Sequence, residues 1–292
     1  MGKRTPRYPI YIPSKGRAHV PYTIKMFLRD GVDFKVVVEE NDAEAYAKVA
    51  GEERLLILPE SGRGLVYSRN FIYEHAVATG AERHWQFDDD IKSMRRLYRG
   101  YKLKCAANVA LVAAEDFVDR YENVAVASFN SWFFLPVTAG TTRIDWPPFY
   151  LNSRCYTVFL LSNKMPNRFR GRYNEDTDMS LQVLASGMCT ILFNAFLIDT
   201  PETMQHSGGQ TDIYINDGRL RMARELERRW PGVVDVYRRF GRPQHHVKGL
   251  WKKFDTPLKR KPGPLPKGTN EYGLTLTEVA PIQHAGLRKL VR

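Results

Sequence analysis

His84-Trp85-Gln86-Phe87-Asp88-Asp89-Asp90-Ile91 joins an aromatic, apolar run directly to three consecutive carboxylates. The first four residues suit a buried strand; the aspartates cannot continue it, because adjacent like charges need a counter-ion or water. The same change from apolar run to polar turn recurs toward the N-terminus. Tyr8–Ile12 precedes Pro13-Ser14-Lys15-Gly16-Arg17, Phe34–Val38 precedes Glu39-Glu40, and Leu55–Leu58 precedes a turn holding Gly62-Arg63-Gly64. Helical periodicity fills the intervals, over Pro21–Arg29, Ala43–Val49 and about Val66–Ala78. This βαβα alternation predicts an α/β fold with a mainly parallel sheet flanked by helices. In such sheets ligands bind beyond the C-terminal ends of the strands.

On the C-terminal side, Val109–Tyr121 reads as a helix and Val124–Phe129 and Tyr156–Leu161 as strands. Asp176–Ser186 reads as a helix closed by Gly187, followed by strands at Thr190–Phe193 and Phe196–Ile198. A basic helix is expected over Gly218–Trp230. Lys259–Lys267, with its prolines set among cations, reads as an extended linker or arm. The 292 residues, 43% hydrophobic and 26% charged, describe a folded chain with a sizeable core and exclude a disordered or collagen-like one. Cys105, Cys155 and Cys189 are too few and scattered for a disulfide framework or zinc cluster, which points to a reducing compartment. No apolar run reaches the roughly 20 residues of a membrane helix, and the basic N-terminus has no signal-peptide core. A cytoplasmic location is expected.

The net charge of +12 is unevenly spread. Residues 216–292 hold 18 Lys and Arg against 7 Asp and Glu, while residues 1–215 hold 26 against 25. Concentrated positive charge attracts polyanions with strong salt dependence. Trp230, Tyr237, Phe240, Trp251 and Phe254 lie among those cations. The mixture suits a phosphate backbone with unstacked bases, and it equally suits a helix packing its aromatic side onto the main body.

Four segments carry the chemistry. Asp88 and Asp90 project to one side and can hold a hard divalent cation against a diphosphate; a loop with an Asp-rich helix cap is the alternative. Asn174-Glu175-Asp176-Thr177-Asp178 opens a helix, where the dipole accounts for one or two carboxylates. A carboxylate there can also take a proton from an acceptor hydroxyl. His206 follows a strand and precedes Gly208-Gly209; it closes a metal site only if the fold returns it to the aspartates. The Gly-flanked turn ahead of Ser68-Arg69-Asn70 lets backbone amides and an arginine approach phosphate. Neither a GxGxxG nor a Walker A pattern is present, which disfavours a dinucleotide-binding dehydrogenase and a P-loop ATPase.

In this order, IPSKGR, VVVEE, GRGLVYSRN, WQFDDD, NEDTD and a late histidine resemble a GT-A fold glycosyltransferase over about residues 8–210. More narrowly, IPSKGR, WQFDDDI and the basic tail are similar to the TET-associated glycosyltransferases of phages, which act on 5-hydroxymethylpyrimidines in DNA. The resemblance implies a Rossmann-like, mixed and mainly parallel sheet as a GT-A core over 1–215. A basic helical or extended segment over 216–292 would contact DNA or pack. It implies a UDP-sugar donor and Mn2+ or Mg2+, with Asp90, His206 and Asp88 as metal ligands. Ser14, Arg17 and Glu39 would hold the nucleoside, Asp88 and Asp89 the donor's sugar or ribose, and Arg69 and Asn70 the diphosphate side. Asp176 matches the base of inverting members, and Asp178 stands two residues on as a second candidate.

The implied acceptor is 5-hydroxymethylcytosine or a related base, flipped out or single-stranded, in host-cell cytoplasm for a phage protein. Trp132, Phe133, Phe134, Trp146 and Tyr150 would be available to stack on such a base, although clustered aromatics more often fill cores. The competing expectations are a transferase acting on glycan or protein, a non-catalytic DNA-binding module, and a metal-dependent nuclease.

Overall fold

The computed structural model describes residues 4–136, 146–201, 218–239, 241–263 and 268. Its first half runs β1 (Ile10–Pro13), α1 (Tyr22–Asp30), β2 (Lys35–Val38), α2 (Ala43–Ala50), β3 (Leu55–Ile57), α3 (Leu65–Ala78) and β4 (Arg83–Phe87). A hairpin of β5 (Ser93–Tyr98) and β6 (Tyr101–Cys105) precedes α4 (Ala107–Val118), β7 (Val124–Ser131) and a 3-10 turn at Trp132–Phe134. Then come β8 (Phe149–Leu151), β9 (Val158–Ser162), α5 (Glu175–Ala185) and β10 (Cys189–Asp199). α6 (Gly218–Arg229), a second hairpin of β11 (Val234–Arg239) and β12 (Arg242–Val247), and a 3-10 segment at Lys248–Phe254 follow.

The main sheet has the order β3-β2-β1-β4-β9-β7-β10-β5-β6, with β8 also on β10. β3, β2, β1 and β4 are parallel, in a register that sets Ile12 beside Val36 and Ile10 beside Trp85. β9 runs antiparallel between β4 and β7, and β10 returns parallel to β7. β5 and β8 oppose β10. This is the mixed, mainly parallel α/β sheet expected of a GT-A fold. No helix among the described residues is long and apolar enough to cross a membrane.

Every residue of β4 is buried, as its place inside the sheet requires. The Trp85 ring stacks on Phe129 at 5.6 Å, and its Nε1 donates to Glu115 Oε1 at 2.9 Å. Buried His84 is pushed down to about 4 by desolvation, so it is neutral, and its Nδ1 meets Asn163 Oδ1 at 2.6 Å. The two strands expected at Thr190–Phe193 and Phe196–Ile198 are one strand, β10, with a register shift between Phe193 and Leu197. At the shift the Asn194 and Ala195 N–H groups both donate to Pro148 O, and Asn194 Oδ1 accepts from Asn130. The β5–β6 hairpin was not among the expected elements. Its turn residues, Arg99 and Gly100, both have positive φ (47° and 75°), the geometry that matches strand twist in a two-residue turn.

Residues 218–259, expected as part of the basic extension from 216, lie in the same compact unit, Met1–Arg260, as the sheet. Leu226, Val234 and Val247 form one apolar cluster with Leu181 of α5, against which Trp230, Trp251 and Phe254 pack. Arg221, Arg224 and Arg228 remain exposed on α6. The aromatic side of this basic segment therefore covers α5, and these three arginines face solvent. Asn123 ties down the following stretch through the Pro257 carbonyl (2.9 Å) and the Lys259 N–H (2.8 Å). Lys261–Arg292 is a separate unit, lying almost wholly outside the described residues, as does Phe240.

Candidate active site

The first cluster forms where β1 and β2 end. Ser14 continues the parallel pairing by donating its N–H to Val37 O at 3.0 Å. Its hydroxyl hydrogen-bonds the Asp89 carboxylate and lies 2.5 Å from the Tyr46 hydroxyl. Arg17 Nη1 donates to Asp89 Oδ1 at 2.7 Å and sits 4.0 Å from Asp90 Oδ2. Glu39 accepts from Lys15 Nζ at 2.8 and 2.9 Å and from the Gly62 N–H at 2.9 Å. Burial alone would raise its pKa; these donors outweigh it and hold Glu39 below the ordinary carboxylate value. Gly62 turns that N–H toward Glu39 with φ of 77°, which disfavours any other residue. Ser14, Arg17, Glu39 and Asp89 thus converge from separate strand ends.

The aspartate turn is pinned by Thr23, buried at the start of α1. Its Oγ1 donates to Asp88 O at 2.7 Å and accepts from the Ile91 N–H at 2.9 Å, and its N–H reaches Asp89 O at 3.3 Å. Burial raises the pKa of Asp88 despite Arg69, and it raises Asp90 to about 7 with help from the Asp88 and Asp89 charges. The cluster is short of positive charge, and its oxygen donors suit a hard divalent cation. Among the described residues no group of three or more His, Cys, Asp or Glu side chains is arranged as a complete ligand set. His206, the expected late ligand, lies outside the described residues.

The helix residues expected on the diphosphate side make contacts within the protein. Arg69 is buried between Phe159 and Phe169, its guanidinium carbon 4.9 and 5.3 Å from their ring centroids. One Nη donates to Asp88 Oδ1 at 2.8 Å, and Nε faces Glu175 Oε1 at 3.6 Å. Arg69 therefore stands behind the aspartates and joins them to α5. Asn70 spends both ends of its amide on the Phe169 backbone, at 2.8 and 3.0 Å, and fixes that loop. Single-residue motif matching could not show this, because α3 presents Arg69 and Asn70 to protein rather than to open space.

α5 begins after Asn174, a residue that tolerates its left-handed φ of 52°. Successive helix residues are about 100° apart, so Asp176 and Asp178 point to different sides. Asp176 Oδ2 is paired with Arg154, and Oδ1 accepts from Thr177 N at 2.5 Å. Burial would raise its pKa, but Arg154 and the Thr177 N–H hold it low. His245 of β12 meets the Thr177 hydroxyl at 3.3 Å. Glu175 points the other way, to Arg69; burial and the neighbouring Asp176 charge push it above the ordinary range. A carboxyl whose pKa rises on folding stabilises fully below its unfolded value near 4.5 and loses that stabilisation as pH climbs through the raised value. Glu175→Gln should therefore raise stability at pH 8 by about 1 kcal/mol and leave it unchanged at pH 4, read by thermal melting.

Asp178, the second candidate base, is placed as a buried anchor. Its carboxylate is sealed from solvent and accepts from Arg170 Nε (2.8 Å), Gln182 Nε2 (2.8 Å) and Trp230 Nε1 (2.7 Å). Four neighbouring polar residues at a helix start gave no means of separating this anchor from a reactive group. Breaking such a buried, paired charge costs about 3 kcal/mol. Asp178→Asn is expected to lose that much in urea unfolding at pH 7, with the loosening concentrated around Trp230. Thr23, Tyr46, Arg154 and His245 were not anticipated as site residues. Each lies at least 22 residues along the chain from the group it touches.

A family model described as TET-associated glycosyltransferase matches residues 8–209. A solved structure from Desulfovibrio desulfuricans G20, provisionally described as a nucleotide-diphospho-sugar transferase, is 10% identical over 76% of this chain and 97% of that one, with a TM-score of 0.40. No curated protein matches.

Proposed function

The chain belongs to the TET-associated glycosyltransferase family, and on that premise we propose that it moves a sugar from a UDP-sugar to the hydroxyl of a 5-hydroxymethylpyrimidine in DNA, 5-hydroxymethylcytosine foremost. The observation that supports the reading is the convergence of Ser14, Arg17 and Glu39 with Asp88, Asp89 and Asp90 at the C-terminal ends of the parallel strands, joined through Arg69 to the head of α5, which carries Asp176.

In this reading Glu39, Ser14 and Arg17 hold the uridine, and Asp89 keeps Arg17 and Ser14 in place. Asp88 and Asp90, with His206, would hold Mn2+ or Mg2+. When bound, the ion supplies Lewis-acid stabilisation of the charge that collects on the diphosphate. Arg69 orients Asp88, and Asn70 orients the Phe169 loop. Asp176 Oδ takes the proton of the acceptor hydroxyl as that oxygen bonds to the anomeric carbon. The bond from that carbon to the β-phosphate oxygen breaks, and UDP departs. Attack opposite the leaving group gives inversion. Arg154 steadies Asp176, and its positive charge favours the carboxylate form that accepts the proton.

The test is incubation with hydroxymethylated DNA and a panel of UDP-sugars in Mn2+, followed by mass spectrometry of the released nucleosides. A hexose mass added to the hydroxymethylpyrimidine is expected. Transfer only to glycan or protein, or strand nicking without any donor, would replace the reading.

A further inference from the structure

Lys92 to Lys104, the stretch that follows the aspartate turn, holds six cations (Lys92, Arg95, Arg96, Arg99, Lys102, Lys104) and no carboxylate. It folds as the β5–β6 hairpin, with β6 at the rim of the sheet. The register pairs Arg95 with Lys104 and Leu97 with Lys102, so Arg95, Lys102 and Lys104 share one face. Trp132 lies on that face, 5.2 Å from the Arg95 guanidinium and 5.3 Å from Lys102 Nζ. Arg95 is held by Asp199 at 2.6 Å, and Lys102 by the Trp132 carbonyl at 2.5 Å, so the cations are fixed rather than splayed.

From Trp132 the chain passes to Phe133 and Phe134, which are 73% and 61% exposed, far beyond what large aromatic side chains show in a core. Their ring centroids are 5.7 Å apart, and Phe134 lies 6.1 Å from Tyr156. The Arg154 guanidinium covers the same Tyr156 ring at 5.6 Å and pairs with Asp176. A continuous row therefore leads from fixed cations, across exposed aromatic rings, to the carboxylate assigned as base.

We propose that this row is the track of a single DNA strand. Arg95, Lys102 and Lys104 carry backbone phosphates, Phe133 and Phe134 stack on unpaired bases, and the target pyrimidine is delivered past Tyr156 to Asp176. Cations set beside open π-faces match a phosphodiester chain with splayed bases. The proposal rests on DNA being the acceptor, as argued above, and locates the surface that receives it.

The test measures anisotropy of a fluorescein-labelled single-stranded oligonucleotide containing 5-hydroxymethylcytosine. Phe133→Ala/Phe134→Ala should weaken binding about 10- to 100-fold with little change in salt dependence. Lys102→Glu/Lys104→Glu should weaken it and lower the slope of log affinity against log salt by at least about 1. Both variants should melt like the wild type and still bind UDP. If the wild type binds the oligonucleotide and both variants match it, the track is wrong while DNA remains the acceptor. If the wild type binds no DNA at all, the acceptor reading and the track fall together. Loss of phosphatidylserine-vesicle binding in the variants, with DNA binding unchanged, would make the surface a membrane contact and overturn the proposal.

Discussion

Asp90→Ala is expected to lose at least about 10³-fold in sugar transfer and to keep its fold. Removing a ligand that sustains Lewis-acid stabilisation of the diphosphate forfeits several kcal/mol at the transition state. The fold should survive because the Asp90 side chain is part-exposed and its ion-pair distance to Arg17 is 4.0 Å, too long for a strong bond. Burial and the Asp88 and Asp89 charges push its pKa up to about 7, a mark of crowding that truncation relieves. Thr23 holds the turn through backbone atoms of Asp88 and Asp89 and through the Ile91 N–H, none of which the substitution touches. Transfer measured across a Mn2+ titration, beside a thermal melt, separates the outcomes. Near-wild-type turnover in this variant would remove the metal from the account, and an unfolded protein would make Asp90 structural.

Asp176→Asn should lose a similar factor in transfer while binding UDP normally, because the amide cannot accept the hydroxyl proton. Glu175→Gln, one residue away, should lose only about 10-fold, as expected for a group that steadies another rather than taking a proton. The contrast follows from which way each side chain faces. Asp176 looks toward Arg154, Tyr156 and the exposed phenylalanines, the side to which the proposed strand track leads. Glu175 looks toward Arg69 and Asp88, on the donor side. Single-turnover assays with saturating UDP-sugar compare the two directly. The reverse order of losses would make Glu175 the base.

The clustering of the strand-end polar groups was legible because they sit at predictable places. Ser14, Glu39 and Asp88 each follow an apolar run, and the ends of adjacent parallel strands lie side by side. The difference between the two aspartates at the head of α5 was less legible. Asp176 and Asp178 differ by a rotation about the helix axis, and only packing from Trp230, 52 residues away, shows which one is sealed. Arg69 illustrates another limit: a cation next to a phosphate-type turn reads the same whether it faces the ligand or stands behind an aspartate.

Charge arithmetic also concealed a feature. Summed over 1–215 the balance is nearly even, and that sum hides the six-cation stretch that makes the β5–β6 hairpin. The Arg99-Gly100 turn between two tyrosines was the available signal for the hairpin. Conversely, the aromatics of the basic segment divide as the packing alternative anticipated: Trp230, Trp251 and Phe254 lie against the α5 cluster.

That arrangement bears on the order in which the enzyme is made. Trp230, Val234, Val247 and His245 emerge from the ribosome after the strands and acids they complete. A nascent chain stalled near residue 215 displays Leu181 uncovered and Asp178 without its indole donor. Such a fragment has its aspartate turn encoded but lacks the apolar cover and the indole donor of its acid helix.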